Sequence, residues 1–114
     1  MTVNEKLIAA LEPVGLPVFP NMKQGDPEKY FVFNYTEMPT DFGDDEPEHI
    51  KNMIQVHLFL PVDFDGVQLR KETKRCLVRG GFTYPKVYDA TDKESQHWVF
   101  ECEDSEGAGI NGET

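Results

Sequence analysis

Apolar residues recur along the chain with two different periods. Near the N-terminus Val3, Leu7, Ala10 and Leu11 fall on one face at helical spacing. Thr2 and Glu5 stand in the T-x-x-E order of a capping box, and Pro13 and Gly15 mark the stop. The run KYFVFNYTE, residues 29–37, switches to alternation and predicts a strand with Phe31, Phe33 and Tyr35 towards the core. Residues 50–60 predict a second strand, with Ile54, Val56, Leu58 and Leu60 on one face and Met53, Gln55, His57 and Phe59 on the other. Helical spacing returns at Leu69, Thr73, Cys76 and Leu77, predicting a helix over 66–79. Asp63 or Asp65 can cap its start, and Gly80–Gly81 ends it with one glycine left-handed. Residues 82–88 predict an edge strand interrupted by Pro85, and 96–103 a last strand with Trp98, Phe100 and Cys102 on one face. Leu16 to Phe19 reads as a brief extended segment between two prolines.

The order helix, two strands, helix, two strands predicts an α+β two-layer sandwich: a mostly antiparallel four-stranded sheet with the helices packed on one side. At 114 residues this is one domain, assigned to residues 1–103. Residues 104–114, with three glycines and a single large apolar residue, Ile110, read as a flexible acidic tail. Met38 to His49 holds Asp41, Asp44, Asp45, Glu46 and Glu48 with no Lys or Arg, and reads as a long exposed loop between the first two strands.

Charge sharpens this picture. Eleven basic against 21 acidic residues give a net charge of −10, which argues against nonspecific attachment to nucleic acid or anionic lipid. The longest apolar run, Val56 to Val62, is interrupted by His57 and Pro61, far short of the roughly 20 residues of a membrane span. No charged-then-apolar stretch opens the chain, so export by that route is not expected. The helix at 66–79 reverses the trend: Arg70, Lys71, Lys74, Arg75 and Arg79 stand against Glu72 alone. That basic face is either a solvated helix surface or a contact for an acidic one, such as the acidic segment of a second copy.

Candidate chemistry is sparse. Cys76 and Cys102 have no CxxC and no flanking histidine; a disulfide is open on count alone, and two buried thiols are the expectation. DFGDDE lacks the ligand order of an EF-hand, so a solvated or partner-contacting loop is preferred over a calcium site. His57 and His97 can meet across neighbouring strands without an identifiable carboxylate partner. No nucleophile–base motif, phosphate-cradling glycine loop or HExxH occurs, so no enzymatic activity and no cofactor are expected. The contact candidates are Asp41, Asp44, Asp45, Glu46 and Glu48, then Met53 and Phe59, then Arg70, Lys71, Lys74 and Arg75.

The sequence of signatures KYFVFNY, IQVHLFLP, RKETKRCLVRGGF and HWVFECE, over about residues 3–103, resembles the tail terminator or tail completion proteins of long-tailed bacteriophages and their prophage relatives. That resemblance implies a virion structural protein, assembled in the host cytoplasm. It implies a hexameric ring that caps the tail tube and meets the head-side connector. The partners it implies are further copies of the chain, the tail-tube protein and the head–tail connector protein, with no specific nucleic-acid binding and no membrane. From another class, an acidic binding module, either a DNA mimic or an inhibitor of a basic protein, would use the same acidic segment without a ring.

Overall fold

The structure of the chain, a computed structural model, describes residues 1–43 and 46–107, with side chains for 1–40 and 49–104. Helix α1 (Val3–Leu11) runs into a 3-10 turn (Glu12–Val14) and strand β1 (Val18–Pro20). Strands β2 (Tyr30–Gly43) and β3 (Glu46–Leu60) follow, then helix α2 (Val67–Arg79), β4 (Lys86–Asp89) and β5 (Gln96–Gly107). The α+β architecture matches the sequence pattern, but the sheet has five strands, not four, in the order β1-β2-β3-β5-β4. The added strand β1 runs parallel to β2, with Val18 opposite Phe31; the other pairings are antiparallel.

Local chemistry sets both helices. In α1, Thr2 N–H donates to Glu5 Oε1 at 2.9 Å and Glu5 N–H donates to Thr2 Oγ1 at 3.1 Å, the reciprocal cap. At α2, Gly66 is the N-cap and Asp65 Oδ1 accepts from Val67 N–H at 3.2 Å. Gly81, at φ 99°, makes the left-handed turn that leads the chain away from the helix. The two helices meet at a glycine: a Cβ on Gly80 would lie 2.5 Å from the Ala10 Cβ.

The core lies between the helices and one sheet face. Cross-strand rows Phe31–Leu58–Trp98, Phe33–Val56–Phe100 and Tyr35–Ile54–Cys102 build its floor. Val3, Leu7, Leu11 and Leu77 close it from above. The next row, Glu37–Asn52–Asp104, is polar, and there the helix layer ends. Asp104 is buried and takes Lys6 Nζ from α1 at 2.5 Å, while the same ammonium sits 4.9 Å from the Phe82 ring. Asn52 is buried with no hydrogen-bond partner for either side-chain polar atom.

Two expectations are corrected at this boundary. Residues 38–43 and 46–49 are not a loop: β2 and β3 stay paired out to Gly43 and Glu46, so the acidic segment is the far end of a ribbon. Its acid, glycine and proline content hides a continued pairing of β2 with β3. Asp104 is not the start of a free tail either, because β5 continues to Gly107 opposite His49. Residues 108–114 lie outside the described residues. Fourteen residues of β2 at about 3.3 Å each span most of the 53 Å long axis, against 25 and 23 Å across.

Two substitutions test this packing. Gly80→Ala should cost about 1–3 kcal/mol by driving the helices apart, read as a lower urea midpoint. Asn52→Leu should raise stability by about 1 kcal/mol, because it removes a buried polar group that makes no bond. A neutral Gly80→Ala or a strongly destabilised Asn52→Leu would contradict the packing described.

Candidate functional site

Three surfaces outside the core carry the sequence-identified residues. The first is the ribbon. Strand alternation places positions 37, 41, 46 and 48 on the side of the sheet that bears the helices, continuing the line of Phe31, Phe33 and Tyr35. Under the helices that side is apolar, and the next rows along it are Glu37–Asn52 and Pro39–Ile50. Asp41 belongs to β2, Glu46 and Glu48 to β3; Asp44 and Asp45 lie outside the described residues. On the other side stand Met38, 44% exposed, and Lys51, whose ammonium is 3.5 Å from Glu103.

The second surface is the outer sheet face, which no helix covers. Rings run across the strands there: Phe19 of β1, Tyr30 of β2, Phe59 of β3 and His97 of β5. Their centroids are 6.2, 4.9 and 4.3 Å apart in turn, the last two pairs stacked. His57 joins this ladder, its Nδ1 2.8 Å from His97 Nε2 and its Nε2 3.3 Å from Asn34 Nδ2. So the two histidines do meet, ring nitrogen to ring nitrogen. Burial holds the His57 imidazole below its ordinary 6.5, with the neighbouring His97 adding to the effect. Burial also holds His97 below 6.5, against an opposing pull from Asp92. Of the two apolar candidates, Phe59 is locked in the ladder and half-buried, while Met53 is exposed. Met53 lines a shallow groove of about 530 Å³ with Asn34, Gln55, Tyr84 and Glu101. Glu101 accepts from Tyr88 Oη at 2.6 Å and from Gln55 Nε2 at 3.0 Å, bonds that hold its carboxyl below the usual range.

The third surface is the outer side of α2. Arg70 leaves the basic group: its guanidinium lies 3.9 Å over the Trp98 ring and fastens the helix to β5. Lys71, Lys74 and Arg75 line a groove of about 640 Å³ together with Val78, Arg79 and Tyr84. Sequence reasoning put Arg79 on the helix but not among the contacts, and it missed Tyr84, which is 72% exposed beyond Gly80–Gly81. The spacing 71, 74, 75, 78, 79 was the signal available, since it marks one helical face.

Cys76 lines none of these grooves, and Cys102 only borders the groove at Met53. Both are buried free thiols, and burial pushes the Cys102 thiol up to about 12. Among the described residues no group of three or more His, Cys, Asp or Glu side chains could hold a metal ion, and no helix is long and apolar enough to cross a membrane.

Compared with known proteins, the chain matches no family model and no curated protein. Eleven solved chains do match. One of them aligns over 96% of this chain and 99% of its own length, with a TM-score of 0.58 and 13% sequence identity. At that identity the likeness is one of fold.

The histidine ladder makes stability depend on pH. Both imidazoles titrate below 6.5 when folded, so under that value the unfolded chain binds protons that the folded chain refuses. The stabilisation is complete above the unfolded pKa and is lost as pH falls through the window beneath it. Wild type should lose more stability than His57→Gln/His97→Gln between about pH 7.5 and about pH 5.5, measured by paired urea titrations. Parallel losses in the two proteins would refute it.

Proposed function

We propose that this chain is a subunit of a ring that caps the tail tube of a long-tailed bacteriophage or prophage. The ring ends tube polymerisation and offers a surface to the head-side connector. One observation carries the assembly role: the sheet outgrows its own helix layer. Past the Glu37–Asn52–Asp104 row the strands continue, and among the described residues Met38, Pro39 and His49 are exposed there. A ribbon that buries so little is marginal by itself and gains most when another surface covers it. The tail-tube context comes from the sequence signatures, and the α+β fold suits it.

Charge fits the same role. A ring around a DNA path must let phosphate pass, and a chain of net charge −10 repels it. Contact surfaces at the ribbon, the outer sheet face and α2 are distinct patches of one subunit. Contacts between unlike patches propagate head to tail and close when the rotation allows.

A shortened variant tests the proposal. Residues 38–51 are replaced by an Asn-Gly turn joining Glu37 to Asn52, a two-residue hairpin connection. The variant should fold and melt cooperatively. In a prophage lacking the native gene it should leave tails of abnormal length that do not join heads, seen by electron microscopy. Normal infectious particles from that variant would remove the ribbon from the assembly role. A host protein captured by the wild-type ribbon, with normal tails, would favour the acidic binding module instead.

A further inference from the structure

Helix α2 holds five of the chain's 11 basic residues and one of its 21 acids, a local +4 in a molecule of −10. Little of that charge is used inside the subunit. Arg70 is spent on Trp98, and Arg75 pairs at 2.9 Å with Glu72 on the same helix. Among the described residues no ion pair reaches Lys71, Lys74 or Arg79. Lys71, Arg75 and Arg79 are successive i, i+4 neighbours, so like charges are stacked along one stripe, a cost that an external anion relieves. Val78, 43% exposed, and Tyr84, 72% exposed, give the same groove apolar contacts. An exposed aromatic beside unpaired cations has the composition of an interface anchor.

The complementary charge is on the same chain. Between Lys29 and Lys51 there is no Lys or Arg, and the acids of the ribbon, Glu37, Asp41, Glu46 and Glu48, fall at positions on one side of it. No ion pair among the described residues links α2 to β2 or β3. Resting on the ring assembly proposed above, we infer that the α2 groove receives the acid-rich β2–β3 ribbon of a second copy. The contact joins unlike surfaces, so each subunit gives a ribbon to one neighbour and a groove to the other. It covers the ribbon that its own helices leave bare. It also fixes register by charge, because a slipped ribbon leaves cations opposite no acid. A nucleic acid is the less suitable occupant, since the rest of the chain surrounds the groove with negative charge.

Charge reversal in full-length chains tests this by sedimentation velocity at low salt. Lys71→Glu/Lys74→Glu/Arg79→Glu and Glu37→Lys/Glu46→Lys/Glu48→Lys should each fold, with melts near that of wild type. Each alone should self-associate at least about ten-fold more weakly than wild type. Mixed in equal amounts they should recover association, because every groove then finds a ribbon of opposite sign. Neutral Lys71→Gln/Lys74→Gln/Arg79→Gln should fall between. Association of wild type that neither reversal weakens, or reversed variants that fail to complement each other, would overturn the ribbon-in-groove contact and leave the ring standing. A wild-type chain that stays monomeric at every concentration, alone and with tail-tube protein, would overturn both. A short fluorescent DNA duplex bound at physiological salt, and released by the groove reversal, would give the groove to nucleic acid and overturn the contact.

Discussion

Strand β3 is hydrogen-bonded along both edges, to β2 from Phe59 to Glu46 and to β5 from Leu60 to His49. Its even-numbered residues from Ile54 to Leu60 form the middle of the core floor, and both helices depend on that floor for their burial. Helix α1 is only nine residues long, too short to hold without the surface beneath it. The double pairing also sets where the molecule changes character. Each strand turns polar at the same row, Glu37, Asn52 and Asp104, and Lys6 of α1 closes on Asp104 there. On one side of that row the sheet is a domain floor. On the other it is an extension with the same register, in which Met38, Pro39 and His49 are exposed.

The two faces of the sheet divide the work. The inner face is filled by the chain's own helices. The outer face is stabilised across the strands by ring-on-ring contacts from Phe19 to His97 and by the Tyr88–Glu101–Gln55 bonds. These contacts hold the face in a fixed shape without a second layer. Prolines guard its edges, Pro20 on β1 and Pro85 before β4, which limits strand addition at the sides. In the proposed ring, contacts therefore fall to the ribbon, the open face and α2.

Much of this was legible in the residues. Alternation identified the inward sides of β2, β3 and β5, and the Thr2–Glu5 cap and the helical spacing of Leu69 to Leu77 identified both helices. What escaped was whatever depended on a partner strand. Leu16 to Phe19 read as extended, but three residues of β1 have no period to read, and only the neighbouring β2 makes them a strand of the sheet. The acidic segment lacks apolar alternation, yet its backbone continues a pairing begun where alternation is strong. Asp104 looked like tail because its burial requires Asn52 beside it and Lys6 from the far end of the chain. Of the contact candidates, the α2 stripe was visible from helical spacing. Tyr84 was not: the left-handed turn was legible at Gly80–Gly81, but no spacing says that the chain beyond it returns Tyr84 to the side of α2.

The central claim is that the sheet beyond the Glu37–Asn52–Asp104 row is a contact arm and not part of the domain's own stable core. Amide hydrogen exchange tests it most directly, comparing the isolated chain with the chain assembled on its tail tube. In the isolated chain, amides of Phe31 to Tyr35 and Ile54 to Leu60 should exchange slowly, and those of Met38, Thr40 and His49 to Lys51 much faster. Assembly should slow the second group towards the first. Ribbon amides as protected as the core in the isolated chain, or unchanged by assembly, would contradict the account.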